Sequence, residues 1–196
     1  MNDLRPYDRR ALELTSAAVD AVTGADLDRP TPCEGWSVAD LLRHLVSQNL
    51  RFAAGVAGTD PDAASPLDRA DLGDDPAAAF RASAAAVTAA FAVADLPDRE
   101  VRLPELSAVV PGPVALGFHF TDFMAHAWDV AVSVGAALDV PDDLSTQALQ
   151  LAARIPDAPP VRGPGGAFAA KVPIEESAPP FDRLLAALGR DPHWKP

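Results

Sequence analysis

Four stretches of this chain repeat their apolar residues with a period near 3.6 and carry helix punctuation at their ends. That pattern commits most of the sequence to amphipathic helices that must pack on one another. From Leu4 to Thr23, Tyr7, Ala11, Leu14, Ala18 and Val22 share one face, Pro6 sits near the start, and Gly24 follows the end. A second helix opens at Ser37, where S-V-A-D has the form of a capping box. It turns Val38, Leu41, Leu42, Leu45 and Phe52 inward and fades near Gly55 or Gly58. A third is predicted from Asp75-Pro76 to about Asp95, on Phe80, Ala84, Val87 and Phe91 and an alanine-rich composition. A fourth is predicted from Pro113 to Val134, with Gly135 as its stop.

Four long helices joined by short and medium connections imply an all-α four-helix bundle. A shorter extra helix is expected over Asp143 to Ile155. Residues 156–180 hold seven prolines and three glycines, which makes them loop or extended chain. Within them FAAKVPI, 168–174, is expected as one short strand, and FDRLLAAL as a last helical turn or two ending at Gly189. No strand pattern elsewhere supports a full sheet. The organisation expected is a helical bundle over 1–155, with a Pro/Gly-rich C-terminal extension, 156–196, packed on it as part of the same domain.

The 196 residues carry a formal net charge of −12. A nucleic-acid partner needs a clustered basic face, so none is expected. No apolar run approaches the roughly 20 residues of a bilayer crossing, and an acidic chain suits an anionic membrane surface poorly. The charged amino terminus lacks the apolar core of a signal peptide, and the single cysteine, Cys33, has no internal partner. A cytoplasmic location is the expectation. No G-x-x-x-x-G-K-[ST], G-x-G-x-x-G or G-x-S-x-G occurs, so neither a phosphate-cradling loop nor a nucleophile elbow is supported.

The chemistry-bearing feature is HFTDFMAHAWD, 119–129. At about 100° per residue, His119, Asp122, His126, Asp129 and Ser133 fall within an arc of roughly 80°. Such a stripe is either a solvated face or a ligand-bearing one. Unlike a solvated face it holds no Arg, Lys or Glu, and Asp122 and His126 stand at i and i+4, where two side chains can converge on one ion. A third ligand must come from elsewhere. His44, in DLLRHL on the second helix, lies at the edge of the apolar stripe, where a hydrogen-bonded structural histidine is the alternative.

The segments TPCEGWSVADLLRHLVSQNLRFA (31–53), DFMAHAWDVAVSVG (122–135) and FDRLLAALGRDPHW (181–194) resemble the DinB-like metal-binding superfamily, and more narrowly its mycothiol-dependent maleylpyruvate isomerase N-terminal type. The order and spacing match along nearly the whole chain. The resemblance implies a four-helix bundle holding a divalent metal, commonly zinc or nickel. Carried over position by position, the ligands are His44, Asp122 and His126. Asp122 is shorter than the glutamate or histidine often found there, so its helix must approach the metal more closely or a water must intervene. His119 is then a fourth ligand, an outer hydrogen-bond donor or a surface residue. Asp129 is expected to partner a nearby cation or helix end, and Trp128 to pack in the core.

Three protein ligands leave a coordination position open, as at catalytic sites. The resemblance implies that mycothiol, a small cysteine-containing sugar thiol, occupies it and becomes a held nucleophile. Maleylpyruvate isomerases of this group carry a further C-terminal domain, for which residues 156–196 are too short. The expected activity is therefore S-transfer from a small thiol to a small electrophile. Its alternatives are a metal-dependent hydrolase or lyase using metal-bound water, and a non-catalytic metal- or ligand-binding protein. Arg162 or Lys171 is expected either near a substrate carboxylate or on a plain surface connection, Cys33 at a turn as a small buried side chain, Trp36 as a hydrophobic staple, and His193 on the surface. An exposed bundle face would allow a homodimer.

Overall fold

In the computed structural model, residues 3–158, 161–163 and 168–196 are described. Among them the helices are α1 (Arg5–Asp20), α2 (Val38–Ala57), α3 (Pro61–Ala64), α4 (Pro76–Phe91), α5 (Gly112–Val134), α6 (Asp142–Ala152) and α7 (Pro180–Ala187). Two strands, β1 (Glu100–Leu103) and β2 (Ala108–Pro111), precede α5.

Local chemistry sets where the helices begin and end. The Ser37 hydroxyl accepts from the Asp40 amide at 3.2 Å, and the Asp40 carboxylate accepts from the Ser37 amide at 3.1 Å. This reciprocal cap fixes the phase of α2 and with it the direction of His44. Asp75 caps α4 through the Ala78 amide at 2.9 Å. Gly135, at φ 73°, stops α5 in the left-handed conformation that glycine adopts without strain.

The long helices touch in the pairs α1–α5, α2–α4, α1–α4 and α2–α5, a closed cycle of neighbours around one apolar interior. Phe80, Phe91, Phe120, Phe123, Leu41, Leu42 and Leu45 are fully buried there. Each such side chain contributes about 1.5–3 kcal/mol on removal from water. α6 packs on α5, and α7 packs on α6 with Leu184 and Leu185 buried. No helix among the described residues is long and apolar enough to cross a membrane.

The chain is mostly helical, as expected, with one short hairpin added: β1 and β2 pair antiparallel, Val101 opposite Val110, and bury Val101 and Leu103 against the bundle. Two expectations need correction. The third helix stops at Phe91, short of Asp95, because the chain turns through a 3₁₀ segment, Leu96–Asp98, into that hairpin. The strand expected over 168–174 does not form. Phe168 makes one isolated bridge to Arg162, residues 169–174 find no partner strand, and the Val172 amide instead donates to the Ala186 carbonyl at 2.9 Å. Part of the Pro/Gly-rich segment, 159–160 and 164–167, lies outside the described residues.

Candidate metal centre

α2 and α5 run antiparallel, so that Asn49 faces His119 at one level and His44 faces His126 at another. At the second level, one ligand-capable atom from each of His44, Asp122 and His126 lies within 4.8 Å of the others. The His126 Nε2 stands 3.3 Å from one Asp122 oxygen, and the His44 Nε2 stands 3.9 Å from the other. His126 is buried, His44 nearly so, and the Asp122 side chain keeps 31% of its surface exposed. The cluster therefore sits at the rim of the bundle, with part of the Asp122 side chain open to solvent.

The outer nitrogens define the inner ones. The His44 Nδ1 lies 2.6 Å from Asp68 Oδ1, and the His126 Nδ1 lies 2.8 Å from Asp129 Oδ2. Each carboxylate accepts, so each Nδ1 carries a proton. In the neutral rings both Nε2 atoms then present lone pairs toward the Asp122 oxygens. Lone pairs on nitrogen and carboxylate oxygen repel at these separations unless a cation lies between them, either a proton or a metal ion. Charge points the same way. Asp68, Asp122 and Asp129 against Arg190 leave two negative charges around the two imidazoles. A set of two imidazoles and one carboxylate, each imidazole backed by another carboxylate, fits a divalent ion of the zinc or nickel kind.

Without a metal the proton takes that place. Burial disfavours the charged form of His126, but Asp122 and the hydrogen bonds to Asp122, Asp129 and Cys33 outweigh it and hold the ring well above the ordinary imidazole range. Burial likewise opposes ionised Asp122, yet His126 and His44 hold it well below the usual carboxylate range. His44 follows His126 more weakly: burial pulls it down, and hydrogen bonds to Asp122 and Asp68 bring it above its ordinary value.

Asp129 gathers three donors on one oxygen. His126 Nδ1 reaches Oδ2 at 2.8 Å, Arg190 Nη2 at 3.1 Å and the Cys33 thiol at 3.5 Å. The expectation of a cation partner is met by Arg190, just beyond α7. Cys33 is half-buried in a turn held by Thr31, whose hydroxyl accepts from the Cys33 amide at 3.2 Å. The Trp36 ring stands 4.9 Å from the His44 ring and so borders the site.

Several residues fall elsewhere. His119 is neither ligand nor surface residue. It is fully buried one level along α5, with Nδ1 2.7 Å from Asp8, Nε2 3.0 Å from Asn49, and its ring stacked on Phe123 at 4.2 Å. It shares the helical stripe but meets the closed part of the core. Trp128 is half-buried and stands outside the core cluster. Lys171 and Arg162 both approach Asp157, at 3.0 and 3.5 Å, which makes them partners of that surface carboxylate. His193 is exposed. Asp68 and Arg190 carry no signal of this role in the sequence. Both reach the site by long-range contacts from outside the long helices, where no periodicity signals a facing partner.

Comparison with known proteins agrees with this architecture. A crystal structure of a histidine-to-alanine mutant of the mycothiol-dependent maleylpyruvate isomerase superposes with a TM-score of 0.61 at 17% identity. The match covers 76% of this chain and 66% of the isomerase, so the chain spans just under two thirds of that protein's length. A DinB-like protein from Bacillus subtilis superposes with a TM-score of 0.56 at 15% identity, over 71% of this chain and 97% of its own. At these identities the likeness shows the fold. An uncharacterized protein of Mycobacterium tuberculosis, in strains CDC 1551 / Oshkosh and H37Rv, is 35% identical over 182 residues, 93% of this chain and 94% of that one. Residues 9–131 match the family described as the mycothiol maleylpyruvate isomerase N-terminal domain, and this protein belongs to that family.

Proposed function

We propose that this protein is a metal-dependent thiol enzyme. His44, Asp122 and His126 hold one divalent ion, and the site brings a small thiol, mycothiol, to a small electrophile for S-transfer. The observation that carries the reading is the convergence of three lone-pair donors from two helices, with both imidazoles tied at Nδ1 to carboxylates. When bound, such an ion supplies Lewis acidity that keeps a thiol deprotonated near neutral pH and so nucleophilic. The chain's own residues supply the setting. Asp129 keeps the His126 ring in the tautomer that faces inward, Arg190 holds Asp129 in place, and the Trp36 ring lies beside His44. The exposed flank of Asp122 leaves the approach open to a small molecule.

Metal content per chain, measured on untagged protein, tests the first half. The expected result is about one zinc or nickel ion per wild-type chain, as in mononuclear catalytic sites, and its loss in His126→Ala. Unchanged content in the variant would remove His126 from the site. The second half is tested by following an electrophilic bimane or maleylpyruvate with and without mycothiol. Turnover that needs the thiol supports transfer or isomerisation; turnover without it points to a hydrolase or lyase.

A further inference from the structure

We infer that Asp68 is a positioning residue for the metal centre: it fixes His44 as the Nδ1–H tautomer so that Nε2 is the donor offered to the ion. The inference rests on the metal reading above for its consequence, and on geometry alone for the tautomer. Asp68 lies in the connection between α3 and α4, 2.6 Å from the His44 Nδ1 and on the far side of the ring from Asp122. It is no part of the converging donor set.

A surface aspartate that merely happened to meet a histidine would need no special backbone. Asp68 has one. It adopts φ 57°, in the left-handed region that non-glycine residues enter rarely. Such conformations persist where the surroundings over-determine them, and they cluster at functional sites. Here the surroundings are visible. Ser47 on α2 is fully buried, three residues after His44, and its hydroxyl clasps the loop on both sides of Asp68. It donates to the Pro66 carbonyl at 3.1 Å and accepts from the Ala70 amide at 3.2 Å. Arg51, one turn further along α2, donates to the Ser65 carbonyl at 2.8 Å. One face of α2 thus presents the imidazole and holds the loop that orients it. The cap at Ser37 and Asp40 sets the phase of all three residues.

The arrangement also gives each imidazole its own carboxylate. His126 is oriented by Asp129, which is buried and paired with Arg190, whereas among the described residues the hydrogen-bond partner of the His44 Nδ1 is Asp68. A ligand histidine whose second nitrogen is tied to a carboxylate gains a fixed tautomer and a more basic donor nitrogen.

The test uses the full chain as wild type, Asp68→Ala and Asp68→Asn. In the metal-free protein, at a pH above the titration of His44, long-range proton–nitrogen correlation of the ring reads the tautomer directly. Wild type should show Nδ1–H, Asp68→Ala a shift toward Nε2–H, and Asp68→Asn the wild-type tautomer, because its side-chain oxygen still accepts. Zinc affinity, by competition with a chromophoric chelator, should fall about tenfold to a hundredfold in Asp68→Ala and less in Asp68→Asn. The urea midpoint of the metal-free chain should stay near wild type in Asp68→Asn, since the half-buried Asp68 side chain keeps 38% of its surface exposed and asparagine tolerates the left-handed backbone. An Asp68→Ala chain that keeps the Nδ1–H tautomer, or binds zinc as tightly as wild type, overturns the inference. A wild type that takes up no zinc sinks the metal reading, while the tautomer measurement still decides what Asp68 does to His44.

Discussion

His126 sits between Asp122 and Asp129, and on the proposed reading its position would make a proton and a metal ion direct competitors. Burial lowers the affinity of the ring for a proton, but the two carboxylates more than reverse this, so that in the metal-free chain the ring stays charged above its ordinary range. The sign of the consequence follows from linkage. A raised folded pKa contributes stability in full below the unfolded value, about 6.5, and that stability is lost as pH rises through the folded value. The metal-free chain should therefore lose this contribution on the alkaline side of neutrality. A divalent ion that takes the place of the proton should release it. Zinc binding at pH 7 is expected to liberate protons, and its affinity to climb about tenfold per pH unit for each proton displaced. Calorimetry in two buffers of different ionisation enthalpy reads the release. Equal heats in both buffers would mean that His126 is already neutral and that its two carboxylates do not govern it. His119, two turns earlier on the same helix and just as buried, pairs with Asp8 and Asn49 among phenylalanine rings and is offered to nothing.

At the scale of elements, α5 shows how closely the hairpin and the bundle are fitted. β2 runs directly into α5 at Gly112, whose amide donates to the Arg99 carbonyl at 2.8 Å, and a Cβ at Gly112 would run into the carbonyl oxygen of Leu96. Gly117, one turn and a half on, has room: a Cβ there would meet nothing nearer than Leu4 Cδ1 at 3.6 Å. Two substitutions on one helix should then have opposite signs. Gly112→Ala is expected to cost about 1–3 kcal/mol by overpacking against backbone, and Gly117→Ala to gain up to about 1 kcal/mol of helix propensity. Urea unfolding of both variants decides it, and a neutral Gly112→Ala would mean that the 3₁₀ segment carrying Leu96 yields easily. The long helices were legible in the sequence because period, caps and stops agreed at each of them. The hairpin was not. EVRL and AVVP are short, and they are joined by Pro104–Leu106 and by Ser107 at φ 49° in place of an Asn-Gly or Asp-Gly turn. Their two buried residues looked like part of a connection. Within the site, Asp122 and His126 announced themselves by i,i+4 spacing. Asp68 could not, because its role arises from a loop held back against α2 by Ser47 and Arg51.

Across the whole molecule, the site draws on segments that no single element contains. Cys33 comes from the turn before α2, Asp129 from α5, and Arg190 from the chain beyond α7, where Gly189 at φ 83° packs against Ala169 and Ala170 and turns the backbone. The consequence falls on Asp129, a fully buried carboxylate whose only full positive charge at alkaline pH, among the described residues, is the Arg190 guanidinium. Burial opposes its ionised form, and Arg190 together with His126 reverses that and holds it below the usual carboxylate range. Removing one partner of a buried pair leaves the other uncompensated, which costs about 3–5 kcal/mol. Arg190→Ala should sit at about 3 kcal/mol, the low end of that range, because His126 still faces the carboxylate. Arg190→Lys should fall between it and wild type, since an ammonium keeps the charge but not the planar fork. The same loss should reach the metal site: an Asp129 freed from Arg190 orients His126 less firmly, so zinc affinity should drop in Arg190→Ala even at temperatures where the chain stays folded. Urea midpoints and chelator competition on the two variants separate the possibilities. A lowered midpoint with unchanged zinc affinity would make the tail a brace for the bundle alone. Both falling together, with lysine intermediate in each, would make the C-terminal segment part of the machinery that aims His126.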